Sequence, residues 1–287
     1  MIILNLKGGL GNQMFQYALG RSLSLKNNDA LALDLSHLTN AEKVGDTHRA
    51  FALEGFAIQK NIASPKEVQR IKYPFHTLSK IARRINQKIL RNTHVGWEPR
   101  ILKKTGDIYL DGYWQSPRYF TDIRDVLLKE FTPNDTPPIV TALKEHIMSS
   151  QSVSLHVRRG DYVTNPRTRK EFGICSIDYY RNAARYITQR VASPHFFIFS
   201  DDIAWAKENL PLTEETTFVD DPSLRDVDEL FLMSTCAHNI IANSSFSWWG
   251  AWLNDNPEKI VIAPQPWFDT VAYDPSLIPE SWIQIQK

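Results

Sequence analysis

The sequence predicts an α/β protein of two lobes, each built on parallel strands interleaved with helices. Three observations carry this. The chain has 287 residues, more than the roughly 100 to 200 of an ordinary single domain. Its N-terminus reads strand, glycine loop, helix, strand. Its second half alternates short β-branched or aromatic runs with helical patterns.

The first strand is Met1 to Leu6, followed by Gly8, Gly9 and Gly11 and a helix from about Asn12 to Lys26, whose Met14, Phe15, Ala18, Leu19, Ser22 and Leu23 share one face. "ALALDL" (30–35) follows at once, completing a β-loop-α-β unit that starts a parallel sheet. "DIYLDGYWQSPRYF" (107–120) reads as a strand running into an aromatic-rich loop. Proline and turn formers cluster in "TPNDTPP" (132–138), which divides the chain into lobes 1–135 and 136–287. Strands of the second lobe are expected at 152–157, 195–200, 216–219, 239–242 and 259–263. Helices are expected at 177–191, capped by Ser176, and at 203–209, 226–236 and 247–254. Two such lobes facing each other leave a cleft bounded by strand carboxyl ends, where open α/β sheets bind ligands.

Composition narrows the function classes. The net charge of +1 gives no overall field favouring nucleic acid. No apolar run approaches the ~18 to 20 residues of a membrane span, and "MIILNLKGGLGNQ" lacks the basic start and cleavage site of a secretion signal. With two cysteines, Cys175 and Cys236, neither a disulfide framework nor a cysteine zinc site is expected, and the cytoplasm is the expected compartment. Charge is uneven: between Lys66 and Lys104 eleven Lys and Arg face Glu67 and Glu98. Within that stretch Leu78, Ile81, Ala82, Ile85 and Ile89 recur at helical spacing, an amphipathic basic helix over 78–91. It reads either as a solvated face packed on the core or as a peripheral contact with anionic lipid at the inner face of the membrane.

The motifs lie at strand ends. Gly8, Gly9 and Gly11 allow backbone to approach an anion or sugar at a helix N-terminus. The dinucleotide fingerprint would need a glycine at position 14, where Met14 stands, yet Asp34 ends the second strand as a ribose ligand would. A nicotinamide-dependent oxidoreductase is therefore an alternative, as is a plain tight turn. In "HVRRGDY" (156–162), His156, Arg158 and Arg159 precede Asp161 at the mouth of a strand. Paired arginines suit a planar grip on phosphate or carboxylate oxygens, with Asp161 holding one guanidinium; the plainer reading is a surface pair of Arg159 with Asp161. In "NIIANSSFSWWGAWL" (239–253), Asn243, Ser244 and Ser245 are N-cap types where a second anion could dock. Trp248, Trp249 and Trp252 are expected in the core, with Phe246 left to face a ligand. Asp201 with Asp202, and Asp220 with Asp221, form two acidic pairs that invite a metal, but "FSDDIAWAKENL" reads more simply as a helix start with acids at its N-terminal end, "DVD" (226–228) opens a helix, and Glu229 with His238 makes no metal constellation, so no metal is expected.

"GGLGNQMFQYA" (8–18), "GYWQSPRYF" (112–120), "HVRRGDY" (156–162) and "ELFLMSTCAHNIIANSSFSWWGAWL" (229–253) occur in that order and resemble the bacterial α-1,2-fucosyltransferases of glycosyltransferase family 11 across almost the whole chain. The resemblance implies a GT-B fold of two Rossmann-like lobes, an N-terminal lobe on the acceptor side and a C-terminal lobe binding GDP-fucose. It implies metal-independent transfer of L-fucose from GDP-β-L-fucose to the 2-hydroxyl of a terminal β-galactose, on an acceptor that could be lipid-linked in O-antigen synthesis. Carried over by motif, Arg158, with Arg159 beside it, would hold the pyrophosphate, His156 would line the nucleotide pocket, and Asn243, Ser244, Ser245 and Phe246 would face the phosphates. Guanine N–H groups call for a carboxylate, Asp202 or Glu229. Asp161 and His156 are candidates for the base, with Glu171 or an acid of the first lobe in reserve. Gly9, Gly11, Asn12 and Gln13 would touch the sugar or acceptor, and Tyr113 and Trp114 could stack on a sugar. A non-catalytic carbohydrate-binding protein is the remaining alternative.

Overall fold

A computed structural model describes residues 1–39, 49–73, 96–210 and 212–287; the basic helix expected over 78–91 lies outside them. The chain divides into two compact units, Met1–Thr132 with Asp274–Leu277, and Pro133–Tyr273 with Ile278–Lys287.

Unit 1 carries a parallel sheet of order β2-β1-β3, formed by β1 (Ile2–Asn5), β2 (Leu31–Asp34) and β3 (Ile108–Leu110). Ile2 pairs with both Leu31 and Ile108, so the three strands begin level with one another. α1 (Leu10–Asn27) buries Met14, Phe15, Ala18, Leu19 and Leu23 completely. Gly20 faces the sheet, where a Cβ would strike the Leu4 side chain, so helix and sheet approach closely only because no side chain stands there. The helix stops at Asn28, left-handed at φ 52°, whose N–H returns to Leu25. Among the described residues this unit also has α2 (Ser36–Thr39), α3 (Pro65–Lys72) and α4 (Arg124–Glu130).

Unit 2 holds a six-stranded, wholly parallel sheet of order β6-β5-β4-β7-β8-β9. Its strands are β4 (Gln151–Val157), β5 (Pro194–Ser200), β6 (Thr216–Phe218), β7 (His238–Ile240), β8 (Val261–Gln265) and β9 (Ile283–Gln286). "PHFFIFS" is buried along nearly its full length, as a parallel strand covered on both faces must be. The last strand escaped the sequence reading because "IQIQ" is half exposed at the sheet edge and too short to signal itself. The helices are α5 (Pro138–Met148), α6 (Gly160–Thr164), α7 (Pro166–Phe172), α8 (Ile177–Thr188), α9 (Ile203–Asn209), α10 (Asp226–Thr235) and α11 (Ser245–Leu253). Ser176 caps α8 through Tyr179 N–H at 3.1 Å, as expected. α8 then packs Tyr179, Tyr180, Ala183, Ala184 and Ile187 onto the strands. Trp248 and Trp249 are fully buried and Trp252 nearly so, which makes the tryptophan run core.

From β4 the chain winds outward to β5 and β6, then returns to β7, β8 and β9 on the other side. Strand order therefore reverses between β4 and β7, and a ligand crevice is expected at their carboxyl ends.

Candidate active site

Register builds the centre of this crevice. Val157 pairs with Ser200, so the residues just past β4 and β5, Arg158–Arg159 and Asp201–Asp202, emerge side by side. Arg158 reaches Asp201 Oδ2 through Nη1 at 3.0 Å and Asp161 Oδ1 through Nη2 at 2.5 Å. Arg159 reaches Asp202 Oδ2 through Nε at 3.0 Å, and its guanidinium lies 3.9 Å over the Trp205 ring. The surface pair of Arg159 with Asp161 considered from sequence does not form: Asp161 goes to Arg158, because the turn at Gly160 brings it back over that side chain. Gly160 itself lies against the Asp201 carboxylate, which a Cβ would strike.

Each guanidinium keeps donors in hand. Both Nη groups of Arg159 and Nε of Arg158 are claimed by no described residue. Burial works against the charge on Arg158, and the Asp201 and Asp161 carboxylates outweigh it, holding the group charged above its ordinary range. His156, 3% exposed, lies two residues earlier. Burial and then the Arg158 charge push it down to about 3, so its ring is neutral. Its Nδ1 has no hydrogen-bond partner among the described residues, and the ring sits 5.5 Å from that of Phe246.

β7 supplies the second wall. Ser244 caps α11 by accepting from Phe246 N–H at 3.3 Å, while Ser245 and Phe246 remain half exposed. Asn243 spends its side chain inside the fold, donating to the Phe172 and Gly173 carbonyls and accepting from Cys175. Its carbonyl accepts from Tyr162 Oη at 3.0 Å, and the Arg158 guanidinium lies 5.5 Å from the Tyr162 ring, so the two motif turns are tied together. Neither Tyr162 nor Trp205 was singled out from sequence. The available signal was spacing: Trp205 stands three residues past Asp202, the N-cap of α9, whose Oδ1 accepts the Trp205 N–H at 3.2 Å.

The two carboxylates weighed for guanine differ. Asp202 uses one oxygen on Arg159 and the other on its helix cap. Glu229, in the first turn of α10, has no hydrogen bond or ion pair among the described residues, and burial followed by the Asp226, Asp201 and Asp228 charges pushes it up to about 7. It is an uncompensated acid within reach of Asp201. Its neighbour Asp228 is locked in a two-point grip by Arg225, 2.8 Å at each oxygen, so "DVD" is a structural staple. Among the described residues no cluster of three or more metal-ligating groups occurs, and no helix is long and apolar enough to cross a membrane.

In unit 1 the glycine loop is held by glutamines. Gln16 bonds both N–H and carbonyl of Lys7, and fully buried Gln13 bonds Gly8, Ala50 and Ala52. Gln13 is thus a backbone staple rather than the sugar contact considered from sequence. Gly9 is the N-cap of α1, and a Cβ there would meet nothing within 4 Å. Gly11 is buried, and Asn12 accepts from Gln115 at 2.7 Å. Trp114, 5% exposed and edge-on to Tyr119, belongs to the core. Asp34, needed free by the nicotinamide alternative, spends its oxygens on Ser36 N–H and Tyr109 Oη.

Residues 1–286 match the model of the family described as Glycosyl transferase family 11. The chain belongs to that family. It is 36% identical to an alpha-1,2-colitosyltransferase of Escherichia coli over 100% of this chain and 99% of that one. It is 34% identical to the O-antigen biosynthesis glycosyltransferase WbnK of Escherichia coli, over 98% and 99%. With the mouse galactoside 2-alpha-L-fucosyltransferase Sec1 it shares 26% identity over 99% of this chain and 74% of that one. Among solved structures, fucosyltransferase NodZ from Bradyrhizobium shares the α/β fold at TM-score 0.53 and 12% identity, over 87% of this chain and 91% of that one. The family 11 chain is accordingly a glycosyltransferase.

Proposed function

We propose that this family 11 glycosyltransferase moves L-fucose from GDP-β-L-fucose to the 2-hydroxyl of a terminal β-galactose, with inversion at the anomeric carbon. The two units are read as GT-B lobes, unit 2 binding the donor and unit 1 the acceptor. The observation that carries the reading is the pair of guanidinium groups, Arg158 and Arg159, with donors that no described residue claims, together with the uncompensated Glu229 carboxyl, which feels the charge of the same Asp201 that holds Arg158. That combination suits a guanine edge, whose N1–H and 2-amino group both donate, joined to a diphosphate.

Arg158 and Arg159 take the phosphate oxygens, and as the sugar–oxygen bond breaks they stabilise the charge gathering on the leaving GDP; fixed guanidinium donors supply this without a metal ion. Asp161 and Asp201 orient Arg158, Asp202 orients Arg159, and His156 with Phe246 lines the nucleotide pocket. Ser244 and Ser245 offer hydroxyl and backbone donors to the phosphates, with Asn243 holding their turn in place. Gly9, Gly11 and Asn12 border the acceptor. A lipid-linked O-antigen intermediate, met at the inner face of the membrane, is the proposed setting, by analogy with the WbnK relative.

A second reading concerns only the donor. One relative is a colitosyltransferase, and L-colitose is L-fucose without its 3-hydroxyl. The test is to incubate purified protein with GDP-L-fucose or GDP-L-colitose and a panel of β-galactosides in excess EDTA, then determine product mass and linkage. A 2-linked fucosyl product is expected. A 2-linked colitosyl product alone would move the donor assignment, and transfer from neither sugar would overturn the proposal.

A further inference from the structure

The carboxyl edge of the unit 1 sheet carries polar groups that its fold does not use up. Asn5 ends β1 and Asp111 follows β3, and because Leu4 pairs with Leu110 the two side chains stand next to each other. Asn5 Nδ2 donates to Asp111 Oδ1 at 3.0 Å, and Lys7 Nζ reaches the same oxygen at 2.9 Å. Oδ2 of Asp111 is bound by no described residue, on a side chain about one quarter exposed (24%). Two further ties join the segment after β1 to the loop after β3: Lys7 lies 5.1 Å over the Tyr113 ring, and Gln115 donates to Asn12 in the first turn of α1.

At this edge two buried amide oxygens lack partners among the described residues. Asn5 is 5% exposed and Gln115 8% exposed, and neither Asn5 Oδ1 nor Gln115 Oε1 has a hydrogen bond from any described residue. A buried acceptor left unmade costs stability, so its retention calls for a donor that arrives from outside. Here three acceptors, Asp111 Oδ2, Asn5 Oδ1 and Gln115 Oε1, await donors. The Lys7 ammonium disfavours a cation in this place and the Asp111 carboxylate disfavours an anion. A neutral ligand rich in hydroxyl donors fits, which is the chemistry of a sugar.

We propose that these three residues form a sugar-binding cluster in which Asp111 accepts the proton of the attacking acceptor hydroxyl. The inference rests on the transferase reading above. In the step, the hydroxyl proton passes to Asp111 Oδ2 while the hydroxyl oxygen forms its bond to the anomeric carbon. The electron pair of the breaking sugar–oxygen bond leaves with the β-phosphate of GDP. One base suffices for one inverting displacement. Burial opposes ionisation of Asp111, and the Lys7 charge with the hydrogen bonds from Lys7 and Asn5 outweighs it, holding the carboxyl below its usual range and ready as an acceptor at neutral pH.

The test compares Asp111→Asn, which retains the Oδ1 acceptor for Lys7 and Asn5, with Asp111→Ala and Gln115→Ala. Thermal stability and GDP affinity are read beside kcat and both KM values for transfer from GDP-L-fucose to a β-galactoside. Asp111→Asn is expected to fold, to bind GDP as the wild type does, and to lose at least about a hundredfold in kcat. Added formate is expected to restore part of the turnover of Asp111→Ala, a response that a merely structural residue would not give. Gln115→Ala is expected to raise the acceptor KM roughly tenfold with the donor KM unchanged. Asp111→Asn turning over near the wild-type rate would overturn the assignment, as would lost activity that tracks lost stability and resists formate; the transferase reading would stand in both cases. A wild-type protein that binds GDP-fucose and transfers to no galactoside would overturn both.

Discussion

Arg158 and Asp201 are joined across the ends of adjacent strands, Nη1 to Oδ2 at 3.0 Å, and the joint exists because Val157 and Ser200 are in register. A second carboxylate, Asp161, holds the other Nη at 2.5 Å, so one planar fork is fixed at two points and its orientation is set before any ligand arrives. A lysine cannot occupy both points. Arg158→Lys is expected to lower turnover by about a hundredfold or more, the range found when one preorganised donor to a developing anion is removed. GDP affinity is expected to fall with it, while the far-UV spectrum stays unchanged. Titration calorimetry with GDP and the transfer rate check this; unchanged affinity would reduce the guanidinium to a structural part.

Glu229 couples nucleotide binding to protons. Pushed up to about 7, its carboxyl is about half protonated at pH 7 in the free protein. Guanine N–H donors favour the ionised form, so binding lowers the value again and releases roughly half a proton at pH 7. Affinity therefore weakens as pH falls below 7. Calorimetry in buffers of different ionisation enthalpy measures the release, and Glu229→Gln is expected to abolish that part of it and to weaken discrimination of GDP from ADP. The same release in Glu229→Gln as in the wild type would remove Glu229 from the guanine site.

His156 predicts an acid-sensitive fold. Its folded value near 3 lies below the ordinary 6.5, so between these limits the unfolded chain takes up a proton that the folded protein refuses. Stability from this group is complete above pH 6.5 and is lost on acidification, by up to ~1.4 kcal/mol per pH unit. Glu229 acts in the opposite sense, since its raised value favours the folded state at low pH. The two partly cancel in the wild type, and single variants separate them. His156→Gln is expected to lose about 2 kcal/mol less than the wild type between pH 7 and pH 5, measured by urea midpoints at each pH.

Much of unit 2 was legible because buried parallel strands write themselves as continuous apolar runs: "HFFIFS" and "SVSLHV" lie within one residue of β5 and β4. The convergence of "HVRRGDY" and "NSSF" on one crevice also followed from their places at strand ends. Pairing did not. Which aspartate each arginine takes depends on the register of β4 with β5, and nothing local in "RRGD" says that Arg158 skips to Asp161 while Arg159 crosses to Asp202. Asn5, Lys7 and Asp111 were passed over for the same reason: they are 106 and 104 residues apart in the chain, and only the β1–β3 pairing brings them together. Gln13 misled because a polar residue in a glycine loop looks available for a ligand, whereas three backbone partners bury it.

Gly160 and Gly9 separate two reasons for having no side chain. At Gly160 a Cβ would strike the Asp201 carboxylate, and relief requires that carboxylate to leave Arg158. Gly160→Ala is expected to reduce GDP affinity and turnover together, through loss of the fixed guanidinium, at a modest cost in melting temperature. At Gly9 the φ is −76° and the space beyond the Cα is empty, so nothing in the protein forbids alanine. Its N-cap position limits the stability cost of Gly9→Ala to about 1 kcal/mol. If the sugar or acceptor comes up against this loop, the added methyl meets the ligand instead of the fold, and the expected result is a raised acceptor KM with GDP affinity intact. Normal acceptor kinetics in Gly9→Ala would place the acceptor elsewhere on unit 1, and a shared loss of stability and activity would make Gly9 a feature of the turn alone.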